Sequence, residues 1–294
     1  MKMSFRRVLA WSVLCLGIWA GNPALAAEVT VTVSILPQKA IVEAIGGDAV
    51  DVQVMVRPGA NPATYEPSPR QMARLNRSAL YFAIGVPFEG AWLPRLTQGN
   101  ADMEGVHLQQ EVVRHPMPGE RGGHGHTHGQ GTPDPHIWLS PNMVRAFSAS
   151  IAEHLAEALP SQAEAIRARH LDFVAEVASL DAELAEMLRP LGQQGQRFLV
   201  FHPSWGYFAR DYGLKQVPVQ LEGKDPSPKD LQQLIRLAEK HELHTVFVQP
   251  QFSKKTAAML AEHIDARVVE LDPLAENWGE NLRRVAEVLV RELS

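Results

Sequence analysis

The order of strand-like and helix-like segments most limits what this 294-residue chain can fold into. Short apolar runs alternate with segments of helical spacing, in two series on either side of one long helical pattern. Pro218 lies inside one of these runs, so that strand should be short or near a sheet edge. The predicted strands are 29–33, 50–56, 79–84, 104–108, 197–201, 216–221, 245–249 and 267–271. Such alternation predicts an α/β protein with two mostly parallel sheets flanked by helices.

One helical pattern, over 161–189, is much longer than the others. At about 1.5 Å per residue it forms a rod on the order of 40 Å, which would run along or between two lobes. The sequence thus predicts an N-terminal lobe over 27–160, a rigid linking helix over 161–190 and a C-terminal lobe over 191–294. The apolar stripe of this helix advances in steps of four and three residues through Ile166, His170, Phe173, Val177, Leu180, Leu184 and Met187. The other predicted helices are 37–45, 69–76, 141–159, 204–212, 228–240, 253–263 and 276–293.

Residues 1–26 have the organisation of a secretory signal peptide. Basic residues precede an apolar run over 8–20, and small residues lead to a cleavage site after Ala26. That run is shorter than the roughly 20 residues that a membrane-spanning helix needs. The single cysteine, Cys15, lies inside this segment without a lipid-anchor pattern, so the mature chain would contain no disulfide and no thiolate zinc site. We therefore expect an exported, periplasmic protein.

Charge and motifs argue against two large classes of function. The net charge of −5, which falls to −8 without the signal peptide, disfavours nucleic-acid binding. The sequence has no Gly-x-Ser-x-Gly elbow, no phosphate-binding glycine loop and no His-Glu-x-x-His motif. These absences give little support to nucleophilic catalysis or to phosphate binding.

A histidine-rich segment interrupts the first series at 114–135. His124, His126 and His128 alternate with small residues in a glycine-rich stretch that has little to bury, so we predict a disordered loop. Flexible neutral imidazoles can trap divalent transition metals weakly, although a solvated spacer would have the same composition. The segment favours a transition metal as the ligand.

Three further side chains are candidate metal ligands. His202 and Asp272 each follow a predicted strand of the second series, where parallel sheets bind their ligands, and His136 precedes a helix of the first. Imidazole and carboxylate together suit zinc, and also manganese or iron. Each residue has an ordinary structural explanation as well, as a helix cap, a core histidine or a turn aspartate.

Several motifs, in this order, resemble the periplasmic solute-binding proteins of zinc and manganese ABC transporters, the TroA-like metal-binding group. The resemblance covers nearly the whole mature chain and implies two lobes bridged by a rigid helix, with metal between them and delivery to a membrane permease. We accordingly expect a binding protein that acts as a monomer, and not an enzyme. It implies His136, His202 and Asp272 as ligands, and the histidine-rich segment and His202 are typical of zinc-type members. The motifs are Ser34–Pro37, Gly59–Pro62, Tyr65–Pro67, Asp134–Leu139, Phe201–Phe208, Gly223–Pro228 and Leu271–Leu274.

One position departs from the family pattern. Ala63 stands where members usually have a histidine after the Gly-x-x-Pro turn, and alanine cannot bind metal. Water, Glu66 or a histidine of the loop (His124, His126 or His128) would have to fill the gap. Three ligands with an open position also describe catalytic zinc, so a zinc hydrolase with Glu66 or Glu222 as base is a second hypothesis.

Two more hypotheses keep the chain in the binding class. One is a manganese or iron carrier of the same fold. The other is a metal buffer or chaperone that works through the histidine-rich segment alone. The leading hypothesis is a high-affinity zinc-binding protein that delivers its ion to an ABC permease.

Overall fold

The computed structural model describes residues 28–117, 132–220 and 226–294. Its first sheet has four parallel strands in the order β2-β1-β3-β4. Both faces of β3 are buried, as expected for a central parallel strand covered by helices on each side. The strands are β1 (Val29–Val33), β2 (Val50–Val54), β3 (Leu80–Ala83) and β4 (Glu104–His107).

The second sheet repeats this arrangement, with four parallel strands in the order β6-β5-β7-β8. The strand that contains Pro218 lies at an edge and is four residues long, which confirms the prediction made from that proline. The strands are β5 (Arg197–Val200), β6 (Lys215–Pro218), β7 (Thr245–Val248) and β8 (Arg267–Glu270).

Helices connect the strands, and those in the described residues agree with the predicted order except for one. Helix α3 is not predicted from the sequence, because an internal proline, Pro94, and the glycines at 90 and 99 weaken its helical signal. It nevertheless buries Phe88, Leu93 and Leu96. The helices are α1 (Leu36–Gly46), α2 (Pro69–Leu75), α3 (Pro87–Gly99), α4 (Pro141–Ala158), α5 (Ala163–Gln194), α6 (Gly206–Asp211), α7 (Pro228–Lys240), α8 (Lys254–His263) and α9 (Trp278–Leu293).

The long helix α5 has 32 residues and packs against α1 and α4 of the first half and α9 of the second. It continues past Pro190 and ends at Gly195, which adopts a left-handed conformation (φ 61°, ψ 40°). The prediction ended this helix at residue 189, about one turn too early. Its buried stripe is Ile166, Phe173, Val177, Leu180, Leu184, Leu188 and Leu191.

Two tryptophans join the halves of the molecule. The indole of Trp138 donates a hydrogen bond to the carbonyl of Pro273 (2.7 Å), and the indole of Trp278 donates to the carbonyl of Trp138 (2.6 Å). Both side chains are buried, so neither indole could replace its lost partner with water without a local opening. These bonds fix the segment before α4 against the turn that follows β8.

The ends of the histidine-rich segment are more ordered than predicted. Pro116 and Pro133 form an antiparallel bridge, and the amide of Met117 donates to the carbonyl of Thr132 at 2.9 Å. Residues 118–131, with His124, His126 and His128, lie outside the described residues, as does the predicted signal peptide. Within the described ranges, no helix is both long enough and apolar enough to cross a bilayer.

Truncation of α5 on its buried side should destabilise the protein. Leu184 is fully buried, so Leu184→Ala should lower the free energy of unfolding by about 2–5 kcal/mol through lost burial and a cavity. The matched control is Leu171→Ala on the same helix, whose side chain is 69% exposed and should cost less than about 0.5 kcal/mol. Urea denaturation measures both, and equal effects would contradict this packing of α5.

Candidate metal centre

A cavity of about 160 Å³ lies where the carboxyl ends of the two sheets face each other. Loops from both halves form its wall, as expected for a ligand site at the ends of parallel strands. It contains two of the predicted ligands, His136 and His202. The other residues that line it are Asn61, Pro62, Ala63, Val86, Pro87, Met117, Thr132, Pro135, Trp138, Gln251, Phe252, Pro273 and Leu274.

His136 is oriented by the aspartate two residues before it. The buried Asp134 carboxylate accepts hydrogen bonds from the backbone amide (3.0 Å) and from Nδ1 (2.6 Å) of His136. A carboxylate that holds Nδ1–H leaves Nε2 with a free lone pair, and this arrangement recurs behind metal-binding histidines. The contact with Asp134 therefore leaves Nε2 of His136 as the ring nitrogen available to an ion.

Helix α6 of the second half braces this aspartate. The Tyr207 hydroxyl donates to the Asp134 carbonyl (3.0 Å) and accepts from the amide of His115 (3.1 Å). Gly206 allows the close approach, because a Cβ at that position would lie 3.0 Å from Asp134 Oδ2. The orientation of a first-half histidine thus depends on second-half contacts.

His202 follows β5 and is held by the loop after β7. Gln249, which is buried, accepts from the His202 amide (3.2 Å) and donates to its carbonyl (2.7 Å). The ring stacks on Phe252, with centroids 4.9 Å apart and planes 23° from parallel. Backbone and ring are both fixed by these protein contacts.

The imidazole of His202 is buried in a way that keeps it neutral. Desolvation, together with the nearby His136, lowers its pKa from 6.5 to about 3, although the side chain of Gln220 acts in the opposite direction. Its Nδ1 is buried with no hydrogen-bond partner among the described residues. A neutral imidazole with an unsatisfied nitrogen is unfavourable in an apolar wall and is a good metal ligand.

The two imidazoles are spaced as they would be around one ion. Their ring centroids are 5.4 Å apart, with planes at 70°. Two imidazoles bound at Zn–N distances near 2.0–2.1 Å with tetrahedral angles have centroids about 5 Å apart. The pair can therefore share a metal with little movement.

Asp272 is not brought into this cavity. Its Oδ1 accepts from Gln251 Nε2 (2.9 Å) and from the amide of Leu274 (2.9 Å), and the residue lines an adjoining recess. In the described part of the chain, no three His, Cys, Asp or Glu side chains lie close enough together to hold an ion. The structure thus places His136 and His202 together in the cavity and Asp272 in the adjoining recess.

The remaining candidates differ in where they lie. Ala63 lines the cavity, with its amide bonded to Asn61 Oδ1 at 2.8 Å, so the usual first-half histidine position does face the site. Glu66 is exposed and is not among the described residues of the cavity wall. Glu222 and the histidines at 124, 126 and 128 lie outside the described residues.

Sequence reasoning missed the residues that support the ligands. Asp134 could have been found from its position two residues before His136, and Gln249 and Gln251 from their position after β7. Nothing in the sequence links Tyr207 to Asp134, because their contact depends on how the two halves pack.

Comparisons with known proteins find a family model, solved structures and a curated relative that match most of the chain. The family model described as zinc-uptake complex component A, periplasmic, matches residues 31–291. A crystal structure of a ZnuA deletion mutant with zinc bound is 42% identical, with a TM-score of 0.84 over 91% of this chain and 98% of that one. Another ZnuA crystal structure is 41% identical, with a TM-score of 0.83 over 91% and 100%. The high-affinity zinc uptake protein ZnuA of Yersinia pestis is 27% identical over 287 residues, 90% of this chain and 89% of that protein.

The burial of His202 predicts a pH-dependent stability of the metal-free protein. Because its pKa is lowered to about 3 in the folded state, only the unfolded chain binds this proton between about pH 6.5 and 3. The stabilisation is complete above pH 6.5 and is lost as the pH falls, by at most about 1.4 kcal/mol per pH unit.

Urea unfolding with a chelator present, at pH 7, 6 and 5, tests this prediction. The free-energy difference between the wild type and His202→Gln should change by about 2 kcal/mol from pH 7 to pH 5, since other groups cancel in the comparison. A difference that is independent of pH would show that His202 titrates normally in the folded protein.

Proposed function

Because the chain belongs to the ZnuA family, the periplasmic A components of zinc-uptake complexes, we propose that it captures Zn²⁺ between its two sheets and delivers the ion to an ABC permease. Proteins of this family are binding components of transport systems and not enzymes. Zinc is therefore the cargo, and the zinc hydrolase considered from the sequence is set aside.

The pairing of His136 with His202 carries this proposal. One imidazole comes from each half of the molecule, each is fixed by buried polar groups, and their spacing suits one ion. Imidazole ligands suit zinc, whereas carboxylates suit manganese. A cavity that presents two imidazoles supports zinc over the manganese carrier, and the match to zinc-uptake components supports zinc over the iron carrier.

We propose Asp272 as the third ligand, reached by a rearrangement of its side chain from the adjoining recess. The recess that contains Asp272 and the cavity that contains the two histidines share Gln251 and Leu274 as wall residues, which supports a short movement of the Asp272 side chain. Ala63 leaves a further coordination position open. Glu66, His124, His126 and His128 are proposed as auxiliary ligands, and Met117 and Thr132, the described residues on either side of the histidine-rich stretch, line the cavity.

The interlobe bonds of Trp138 and Trp278 support release without wide opening of the cleft.

We propose that residues 1–26 are a cleaved export signal and that the mature protein acts as a periplasmic monomer. We also propose that the mature chain divides into an N-terminal lobe over 27–160, a linking helix over 161–190 and a C-terminal lobe over 191–294. The strand order, repeated in both sheets, is consistent with that division.

Zinc titration by calorimetry tests the proposed site. His202→Ala should weaken binding by more than about 100-fold, because even residues behind a ligand typically contribute 10–100-fold. Deletion of residues 119–130 should have a much smaller effect.

The control is His244→Ala, since His244 is exposed in the turn that leads into β7 and lies outside the cavity wall. It should bind zinc like the wild type. Loss of binding on deletion of 119–130, with His202→Ala unaffected, would assign the metal to the histidine-rich segment instead.

A further inference from the structure

An open groove of about 890 Å³ runs along β2, the strand at one edge of the first sheet. Residues 51–58 form one wall, and side chains of α1, α2 and the segment between β8 and α9 form the rest. The groove shares Val56, Arg57 and Glu276 with the recess that contains Asp272, and it shares no residue with the histidine cavity. It therefore lies beside the candidate metal centre and is separate from it.

Four exposed arginines line this groove. Arg70 and Arg74 lie one turn apart on α2, Arg77 follows just beyond the end of that helix, and Arg57 lies in the segment after β2. The ion pairs of residues 28–117, 132–220 and 226–294 include none of these four side chains. Like charges four residues apart repel each other on a helix, so the stability of α2 does not explain the arrangement.

The groove is positively charged, although the whole chain has a net charge of −5. A fifth cation, Lys39, already pairs with Glu276, with Nζ and Oε1 2.5 Å apart. Asp51 is the remaining carboxylate among the described wall residues, against four guanidinium groups. A guanidinium group can bind a carboxylate through two parallel hydrogen bonds. The groove therefore suits a ligand with several carboxylates.

The outer edge of β2 offers backbone contacts as well. The amide of Met55 donates to the carbonyl of Val33 in β1 at 2.9 Å, and successive residues of a strand direct their backbone groups to opposite sides. The amides and carbonyls of Val52 and Val54 therefore point away from β1. No strand of the described residues pairs with this edge. Such an edge can accept an extended peptide as an additional strand.

The charge of the groove determines which strand can bind there. Two copies of this chain paired through β2 would bring their arginines together, and like charges oppose such pairing. We propose that the groove is the docking surface for an acidic, extended segment of a partner protein. Backbone hydrogen bonds to Val52 and Val54 hold this segment, and the guanidinium groups select its negative charge. This inference goes beyond the proposed function and does not depend on it.

Fluorescence anisotropy with the mature chain and three labelled ten-residue peptides tests the proposal. A peptide of alternating glutamate and valine should bind, and more weakly as salt is added, because salt screens exposed charges. The same peptide with lysine in place of glutamate should not bind. A third peptide, with proline in place of valine, keeps the charge but lacks half of the amide donors, and should bind at least about tenfold more weakly.

Charge reversal on α2 tests the role of the arginines. Arg70→Glu combined with Arg74→Glu should weaken binding of the glutamate peptide by at least about tenfold, because two attractions become repulsions. Arg236→Glu combined with Arg284→Glu is the matched control, since it reverses two exposed arginines of α7 and α9 that lie outside the groove. The control should bind the peptide like the wild type, and urea denaturation should show that both double variants are folded.

The proposal is wrong if the glutamate peptide does not bind, if the lysine peptide binds equally well, or if the Arg70→Glu and Arg74→Glu variant binds like the wild type. Binding of phosphatidylglycerol vesicles without binding of the glutamate peptide would assign the arginines to a membrane surface instead. Equal binding of the proline peptide would contradict addition of a strand to β2. The zinc site is tested separately through His202, so either result can fail without the other.

Discussion

The contacts of segment 134–140 with the second half are the constraint on which the metal centre depends. The carbonyl of Asp134 accepts from Tyr207, Trp138 and Trp278 form bonds across the interface, and Ser140 Oγ donates to Asp211 Oδ2 at 2.5 Å. Each buried polar group left without a partner costs about 1–3 kcal/mol. Separation of this segment from the second half would break several such bonds at once, so His136 and His202 keep their spacing because the interface holds them.

The same interface explains how two imidazoles can be held side by side in a largely apolar cavity. Burial lowers the pKa of His202 to about 3, and the Asp134 carboxylate fixes the tautomer of His136. At neutral pH the His202 ring then does not have to lose a proton before it can bind an ion, and the contact with Asp134 keeps the His136 ring in its orientation. Keeping the unpaired His202 Nδ1 away from water lowers the stability of the folded protein. A bond to a metal ion would recover that free energy.

The sequence predicts the fold well, and it points to two histidines that the structure brings together, because both follow local rules. Apolar runs predict the strands, and the apolar stripe of α5 predicts the long helix. His202 is a candidate ligand because it follows β5, at the end of a parallel sheet where ligands bind. It fails where tertiary contacts override local signals, as for α3 with its internal Pro94. It also cannot foresee that Gln251 and the amide of Leu274 hold Asp272 apart, since hydrogen bonds between a loop and a turn leave no periodic pattern.

Because position 63 is alanine, the cavity lacks the imidazole that members of the family usually have there. With a third fixed imidazole, the cavity would present a nearly complete ligand set, and binding would need little from the rest of the site. With Ala63, only two fixed imidazoles come from the described residues, so further coordination would come from water or from groups that move. A group that moves to the ion must first break its existing contacts. The binding free energy is therefore the gain from the new metal–ligand bond minus the free energy of those contacts. If Asp272 is recruited as proposed, the contacts with Gln251 and Leu274 that oppose its recruitment also favour its return, and its return would assist release of the ion.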